Sequence, residues 1–404
     1  MTRYPEVTRR QTIAGLSATA LAAGIAPISS AAAEPHPMFR HGVASGDPDA
    51  TSVVLWTRVN APAPLDVEWE LAADARFVEV IRQGRLVTGP ERDFTVKVLV
   101  EGLQPDGRFY YRFRANSVTS PVGRTRTLPV GRLDRLGIAL ASCSNYAFGF
   151  FNAYDAIARD PSVDFVLHTG DYIYEYGADG WGSEVARRIG RVHQPANEIV
   201  TLADYRTRHA QYKTDAGSRA MLAAKPLLAC WDDHESANNP WTGGAQNHQP
   251  AIEGDWAARR AASIQAYFEW MPVREPRHGR SRMQFWRNYV FGDLATLSTL
   301  ETRHTARALQ VDYAGHRSSI ASRADAEVME REFIGAAERR LIPSELEADL
   351  DEAWIRSKQL GQPWRLIGNP MPMARTRVPD VVALGIIPDP ARQEKPLRAA
   401  GELA

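Results

Sequence analysis

Three stretches decide how this chain folds. Leu136-Gly137-Ile138-Ala139-Leu140-Ala141 runs into Ser142-Cys143, Asp164-Phe165-Val166-Leu167-His168 stops at Gly170-Asp171, and Pro226-Leu227-Leu228-Ala229-Cys230-Trp231 stops at Asp232-Asp233-His234. Each is a short apolar run bounded by turn residues, the pattern of a strand buried on both faces. Between the first two lies a helical stretch over 150–159, and between the last two an amphipathic region over 202–223. Strand, helix, strand, helix, strand implies a mostly parallel sheet covered on both faces. In such sheets ligands gather outside the carboxyl ends of the strands. Here each strand ends in a metal-competent residue: Cys143, Asp171 and Asp233-His234. One such ending is an ordinary turn; three in succession form a constellation.

Upstream the period changes. Leu65-Asp66-Val67-Glu68-Trp69-Glu70-Leu71 alternates apolar and polar residues, and 94–100 and 109–114 each keep one apolar face. Ala61-Pro62-Ala63-Pro64, Gly89-Pro90 and Pro105-Asp106-Gly107 punctuate them, as expected of an antiparallel all-β sandwich of fibronectin/Ig-like type over residues 36–128. Leu103-x-Pro105 before Phe109-Tyr110-Tyr111 looks like the E–F corner of such sandwiches, and 120–132, with Pro121, Pro129 and Gly131, reads as a linker to an α/β module over 133–404.

The first 33 residues read as an address. Arg9-Arg10 precede an uncharged, Ala-rich run that ends Ala31-Ala32-Ala33, a small-x-small cleavage pattern behind paired arginines, as in a twin-arginine export signal. A membrane anchor is the weaker reading, because Gly15, Gly24, Pro27 and four hydroxyl residues interrupt the run. Removal of residues 1–33 leaves a periplasmic or secreted chain with no stable membrane insertion, and the export machinery as its partner.

The 404 residues exceed one ordinary domain. Charged residues make up 24% and hydrophobic residues 44%, which excludes a polytopic membrane protein and a long disordered chain. Lys+Arg and Asp+Glu both number 48, so no basic footprint points to a nucleic-acid partner. Two cysteines cannot build a disulfide framework.

A binuclear site needs a carboxylate able to bridge two cations, with softer ligands for a transition metal and harder ones for a second ion. Asp171 can bridge. Cys143 as thiolate suits iron or zinc, Tyr174 can offer a phenolate to ferric iron, Asp233 is an oxygen ligand, and His234 can give a proton or hydrogen bond to a leaving group. Blander readings hold elsewhere. Cys230 and Tyr172 read as core, and His168 as a satisfied core histidine. Gly292-Asp293 reads as a hairpin turn, and 322–340 as an exposed helix. His41, His193, His248 and His278 lie among loop residues and read as solvated, and Trp241-Thr242-Gly243-Gly244 as a mobile loop near the site.

Four motifs, in order, resemble the PhoD-type alkaline phosphatase/phosphodiesterase family of the calcineurin-like metallophosphatases. They are Gly42-Val43-Ala44-Ser45-Gly46-Asp47-Pro48 with Leu55-Trp56-Thr57-Arg58; Ala141-Ser142-Cys143; Gly170-Asp171-Tyr172-Ile173-Tyr174-Glu175; and Trp231-Asp232-Asp233-His234-Glu235 with Asn238-Asn239. The resemblance spans roughly residues 39 to 375. It implies an α/β metallophosphatase-like sandwich domain behind the β-sandwich, and one iron with calcium in the site. By position Cys143 and Tyr174 would bind iron, Asp171 would bridge, Asp233 would bind calcium and His234 would sit over the phosphate. The implied activity is hydrolysis of phosphate mono- or diesters, small esters or phospholipid headgroups, by attack of a metal-bound hydroxide.

Two departures stand out. Where the family shows Asp-Thr-Arg this chain has Leu300-Glu301-Thr302-Arg303, with Arg303 still placed to reach a phosphate oxygen. Trp364-Arg365-Leu366-Ile367-Gly368-Asn369 looks like the strand that opens the second half of the family sheet, yet the sequence ends at Ala404, and all ten histidines lie at or before His316. The expectation is a chain with an incomplete second half, incomplete metal binding and little activity. The alternative is a non-catalytic paralogue or binding protein that keeps the fold.

Overall fold

The computed structural model describes residues 35–316, 320 and 322–373. The 1–33 signal, its cleavage point and the end of the chain beyond residue 373 lie outside them. The described residues form one compact unit.

In the β-rich half, β1 (Val43–Gly46), β2 (Ser52–Arg58) and β5 (Thr95–Glu101) pair antiparallel in the order β5-β2-β1. Opposite them lie β3 (Leu65–Ala72), β4 (Val80–Thr88), β6 (Arg108–Ala115), β7 (Val118–Thr119) and β8 (Gly123–Arg126), in the order β4-β3-β6 with β7 and β8 both on β6. The period-2 pattern puts Val67 and Leu71 of β3 and Phe109, Tyr111 and Phe113 of β6 in one buried cluster with Val53, Leu55, Val96 and Val100 from the facing strands. Each such side chain, taken fully from water, contributes about 1.5–3 kcal/mol.

In the α/β half, β9 (Ile138–Ala141), β10 (Phe165–His168) and β11 (Leu227–Ala229) run parallel, with Leu167 opposite both Leu140 and Leu228. Helix α1 (Asn152–Arg159) links the first two; α2 (Leu202–Tyr212), opened by a Thr201–Asp204 capping box, and α3 (Ala216–Ala224), capped by Asp215, precede the third. The 202–223 region is thus two helices.

One feature was invisible in the sequence. Strand β1 pairs parallel to β11 through Gly46 and Leu227, so six strands form a single sheet, β5-β2-β1-β11-β10-β9. The approach is close. A Cβ at Gly46 would stand 2.6 Å from the Pro272 carbonyl oxygen and 2.8 Å from that of Leu227, so any side chain there pushes the two halves apart.

Both faces of this sheet are covered. Val166 of β10 faces a cluster with Tyr205 and Tyr212 of α2, Leu222 of α3, and Tyr267 and Trp270 of α4 (Trp256–Trp270). Its neighbours Phe165 and Leu167 face the other way, onto Tyr289, Phe291 and Leu297. Those belong to a second sheet, ordered β14-β15-β16, of β14 (Asn288–Phe291), β15 (Ala295–Thr299) and β16 (Trp364–Gly368). Gly292-Asp293 makes the antiparallel β14–β15 turn, and β16 pairs parallel to β15. A helix over Ser344–Gln359, α5, leads into β16. The 322–340 run is a shorter helix, Arg323–Met329, followed by one wider turn, Glu330–Ile334.

Three of the four loop histidines are buried, not solvated as their local sequence suggests. His278 is exposed, but His41, His193 and His248 are 6%, 2% and 7% exposed. His41 sets its ring edge-on to Trp270, His193 bonds the Tyr212 hydroxyl at 3.2 Å, and His248 meets Glu253 at 3.2 Å. Long connections fold back over the helices, so a polar local sequence does not put its histidines in water. The Trp241–Gly244 stretch is also no open loop. It forms a small hairpin, β12 (Pro240–Trp241) with β13 (Gly244–Ala245), tied to the Arg307 carbonyl through the Thr242 N–H at 3.1 Å. Among the described residues no helix is long and apolar enough to cross a membrane.

Candidate metal centre

The three parallel strands end side by side, and their next residues turn sharply. Cys143 and Asp171 both hold φ near 55°, a left-handed conformation that non-glycine residues adopt at a cost and that clusters at functional sites. Gly170, at φ 100°, has no alternative: a Cβ there would lie 2.3 Å from the Asp232 nitrogen. These turns aim the Cys143 thiol and the Asp171 carboxylate at each other, with Sγ 3.3 Å from Oδ2. The Tyr174 hydroxyl donates to the same Oδ2 at 3.2 Å. Asp171, Asp233 and His234 each bring a ligand-type atom within 4.8 Å of the others. All five sequence-derived ligand or acid candidates therefore meet at one place.

The sixth, Arg303, arrives from the loop after β15. Its Nε donates to Asp232 Oδ1 at 2.7 Å, its Nη2 lies 3.5 Å from Asp233 Oδ1, and its buried Nη1 has no hydrogen-bond partner among the described residues. Glu301 explains how it is aimed. Its buried carboxylate accepts the backbone N–H groups of Arg303 at 2.8 Å, His304 at 2.7 Å and Thr305 at 3.0 Å, and Trp231 Nε1 at 3.2 Å. The glutamate thus folds the turn.

Three carboxylates without an assigned role support the site. Glu175, fully buried, accepts from Asn238 N–H at 2.7 Å and Asn247 Nδ2 at 3.0 Å, and holds His234 Nδ1 at 2.7 Å. The imidazole also stacks on Tyr174, with centroids 4.2 Å apart. With Nδ1 engaged, Nε2 is the ring nitrogen left to act. Glu235 ties two strand ends by accepting Tyr172 N–H at 2.6 Å and Asp232 N–H at 2.8 Å. Asp232 anchors Arg303. All three stood inside quoted motifs, but an acidic residue in a motif carries no mark separating ligand from support. Farther out, buried Arg208 of α2 bonds the carbonyls of Tyr174 and Gln194, which fixes the loop carrying Tyr174.

The electrostatics are compatible with a bound cation. Burial pushes Asp171 upward against the pull of His234, with Asp233 adding to the rise. Burial also pushes Asp232 up to about 7 despite Arg303. Asp233 goes the other way, because Arg303 and His234 outweigh its burial. Burial opposes the His234 imidazolium, but Glu175's bond and charge outweigh it and lift the group to about 9. Burial first, and then the nearby Asp171 charge, raise the Cys143 thiol and the Tyr174 phenol. Converging carboxylates beside a thiol and a phenol that are costly to ionise alone fit a multiply charged cation, which would relieve the repulsion and favour both deprotonated ligands.

The other candidates stay in the core. Cys230 is buried, with Sγ 3.7 Å from the Gly368 carbonyl oxygen. Tyr172 is buried, and His168 is in the core but only half satisfied: it bonds the Tyr154 hydroxyl through Nε2 at 2.7 Å while its Nδ1 has no partner among the described residues.

The sequence profile of the PhoD-like phosphatases matches residues 138–389, and the profile of their N-terminal domain matches residues 24–129. The chain belongs to the PhoD-like phosphatase family. It is 41% identical over 278 residues to alkaline phosphatase D of Bacillus subtilis (strain 168), covering 66% of this chain and 46% of that protein. A solved structure of PhoD superposes with a TM-score of 0.68 at 34% identity, over 82% of this chain and 62% of that one. The chain thus spans about half the length of the curated relative and less than two thirds of the solved PhoD-like structure.

Proposed function

We propose that this chain is an exported, metal-dependent phosphoesterase acting on small phosphate mono- or diesters. The observation that carries the reading is the convergence of Asp171, Asp233 and His234 within 4.8 Å, with Cys143 and Tyr174 on one oxygen of Asp171. Cys143 and Tyr174 would hold iron, Asp233 would hold calcium, and Asp171 would face both. Bound cations would supply charge neutralisation at the phosphoryl oxygens and lower the pKa of water at the site. His234, its Nδ1 fixed by Glu175, presents Nε2 to give a proton to the departing alkoxide oxygen. Arg303, aimed by the Glu301 turn, sets positive charge beside Asp233, where charge develops on the phosphate. Residues 1–33 would act as a twin-arginine signal, with a 36–128 β-sandwich and a 133–404 catalytic module as the exported protein.

The test is turnover of p-nitrophenyl phosphate and bis(p-nitrophenyl) phosphate by purified chain reconstituted with iron and calcium, before and after chelation. Turnover lost on chelation and restored by metal is the expected result. A fully metallated chain without turnover would instead be a binding protein on this fold. Export is checked by cell fractionation after Arg9→Lys with Arg10→Lys; unchanged periplasmic yield would remove that part of the reading.

A further inference from the structure

Beside the metal centre lies a cavity of about 400 Å³ lined by Cys143 and Tyr174 together with Phe148, Phe150, Phe151 and Trp181. Ser144, Asn145 and Gly149 complete its lining, so among the described residues no Lys, Arg, Asp or Glu side chain lines it. Three of its rings are conspicuously wet: Phe148 is 42% exposed, Phe150 59% and Trp181 57%. Exposed aromatics grouped at a cleft mark a contact surface.

These rings are also held in place. Phe148 meets Trp181 at 4.7 Å between centroids, and Trp181 lies 6.0 Å from the ring of Tyr174. Asn145 caps the turn Tyr146–Phe148 by accepting the Ala147 N–H at 2.9 Å, which sets where Phe148 leaves the backbone. Phe150 lies 4.7 Å from the guanidinium of Arg191, which is itself buried and paired with Asp215 at 2.8 Å. Gly182, at φ 89°, makes room for the arrangement: a Cβ there would come 2.7 Å from the Phe148 ring. Rings fixed from behind yet open in front lose little freedom when a ligand covers them.

We propose that Phe148, Phe150 and Trp181 form a subsite for the organic group of the ester, and that this group is an uncharged aromatic ring. The inference rests on the phosphoesterase reading for its location. Because the cavity shares Cys143 and Tyr174 with the metal centre, a phosphate held there has its ester substituent beside the rings. An uncharged lining gives no partner to a charged substituent, and small aliphatic groups would leave the rings wet. Offset or edge-on stacking against Trp181 and Phe148 is the contact an aromatic ring gains and a methyl group does not.

The test separates this subsite from the reading beneath it. Benzylphosphonate and methylphosphonate carry the same charged head and have no ester bond to break, so binding to the metal-loaded full chain is measured by calorimetry without turnover. Benzylphosphonate is expected to bind about tenfold more tightly, and Trp181→Ala or Gly182→Ala to bring the two towards parity. Alongside, kcat/KM for benzyl phosphate over methyl phosphate, whose alcohols leave with similar ease, is expected to show the same preference and the same loss in Trp181→Ala. Equal binding of the two phosphonates, or binding of neither, overturns the subsite. A benzyl preference in binding without turnover of any ester keeps the subsite and overturns the phosphoesterase reading. Turnover of both esters with equal binding does the reverse.

Discussion

The Cys143 thiol stands 3.3 Å from the Asp171 carboxylate although 28 residues separate them, and both residues reach that contact through left-handed backbone at the ends of neighbouring parallel strands. The two strand ends therefore act as one jaw, and what each side chain contributes can be separated by substitution.

Cys143→Ala removes the proposed soft ligand without opening the core, because the residue is exposed just past the end of its strand. Reconstituted variant protein is expected to lose bound iron relative to the parent by elemental analysis, with an unchanged circular dichroism spectrum. Iron retained at the parent stoichiometry would reassign the thiol.

His234→Asn keeps a polar group near Glu175 and removes the transferable proton. The expected loss in kcat is about 10²- to 10⁴-fold, with metal content unchanged. Since a ring nitrogen of His234 lies within ligand reach of Asp171 and Asp233, loss of metal together with rate would make it a ligand instead.

Asp47 is a structural counterpart of the site carboxylates. It is buried at the end of β1 and takes the Arg274 N–H at 2.8 Å, the Tyr289 hydroxyl at 3.1 Å and Arg287 Nε at 2.8 Å. Asp47→Ala strips the buried Tyr289 hydroxyl and the Arg274 N–H of their acceptor and leaves the half-buried Arg287 only Asp49, 3.6 Å away, and should cost about 1–3 kcal/mol, seen as a lower urea midpoint. A midpoint matching the parent would mean that these groups find other partners, such as Asp49.

His209 predicts an acid sensitivity. It stacks between Tyr172 and Trp270, and among the described residues neither ring nitrogen has a hydrogen-bond partner. Burial, then the charges of Lys213 and Arg208, hold it well below its ordinary 6.5. The unfolded chain therefore takes up a proton near 6.5 that the folded chain refuses. Stability is full above that pH and falls as the pH drops below it. His209→Phe keeps the stack and loses the titration. It should flatten the fall in urea midpoint between pH 7 and pH 5, and an equally steep fall would refute the assignment.

Much of this could be read from residues alone, for identifiable reasons. Strands β9, β10 and β11 are continuous apolar runs, and each ends in a ligand-type residue, so periodicity and chemistry mark the same places. The supporting carboxylates could not be read. Glu175, Glu235 and Asp232 act through backbone N–H groups and side chains brought from other segments, and no local pattern records such partners. Burial of His41 and His193 was hidden likewise, because Trp270 and Tyr212 reach them from other segments, and His248 is enclosed by Glu253 and Arg259, whose contact with it depends on how the chain turns. The shared sheet was hidden because its join is one residue pair, Gly46 with Leu227, inside segments that read as a motif and a strand respectively.

That single join has a consequence for how such a gene can change. The stretch 120–132, read from sequence as a linker although β8 lies within it and pairs with β6, looks like a natural place for recombination to exchange one module for another. Yet three strands of the six-stranded sheet are encoded before it and three after it, and the seam fits only a glycine. A crossover at that point would join two halves of one sheet from different lineages, with unmatched backbones at the seam. The two segments should therefore share one ancestry, with substitutions around Gly46, Pro272 and Leu227 tracking one another.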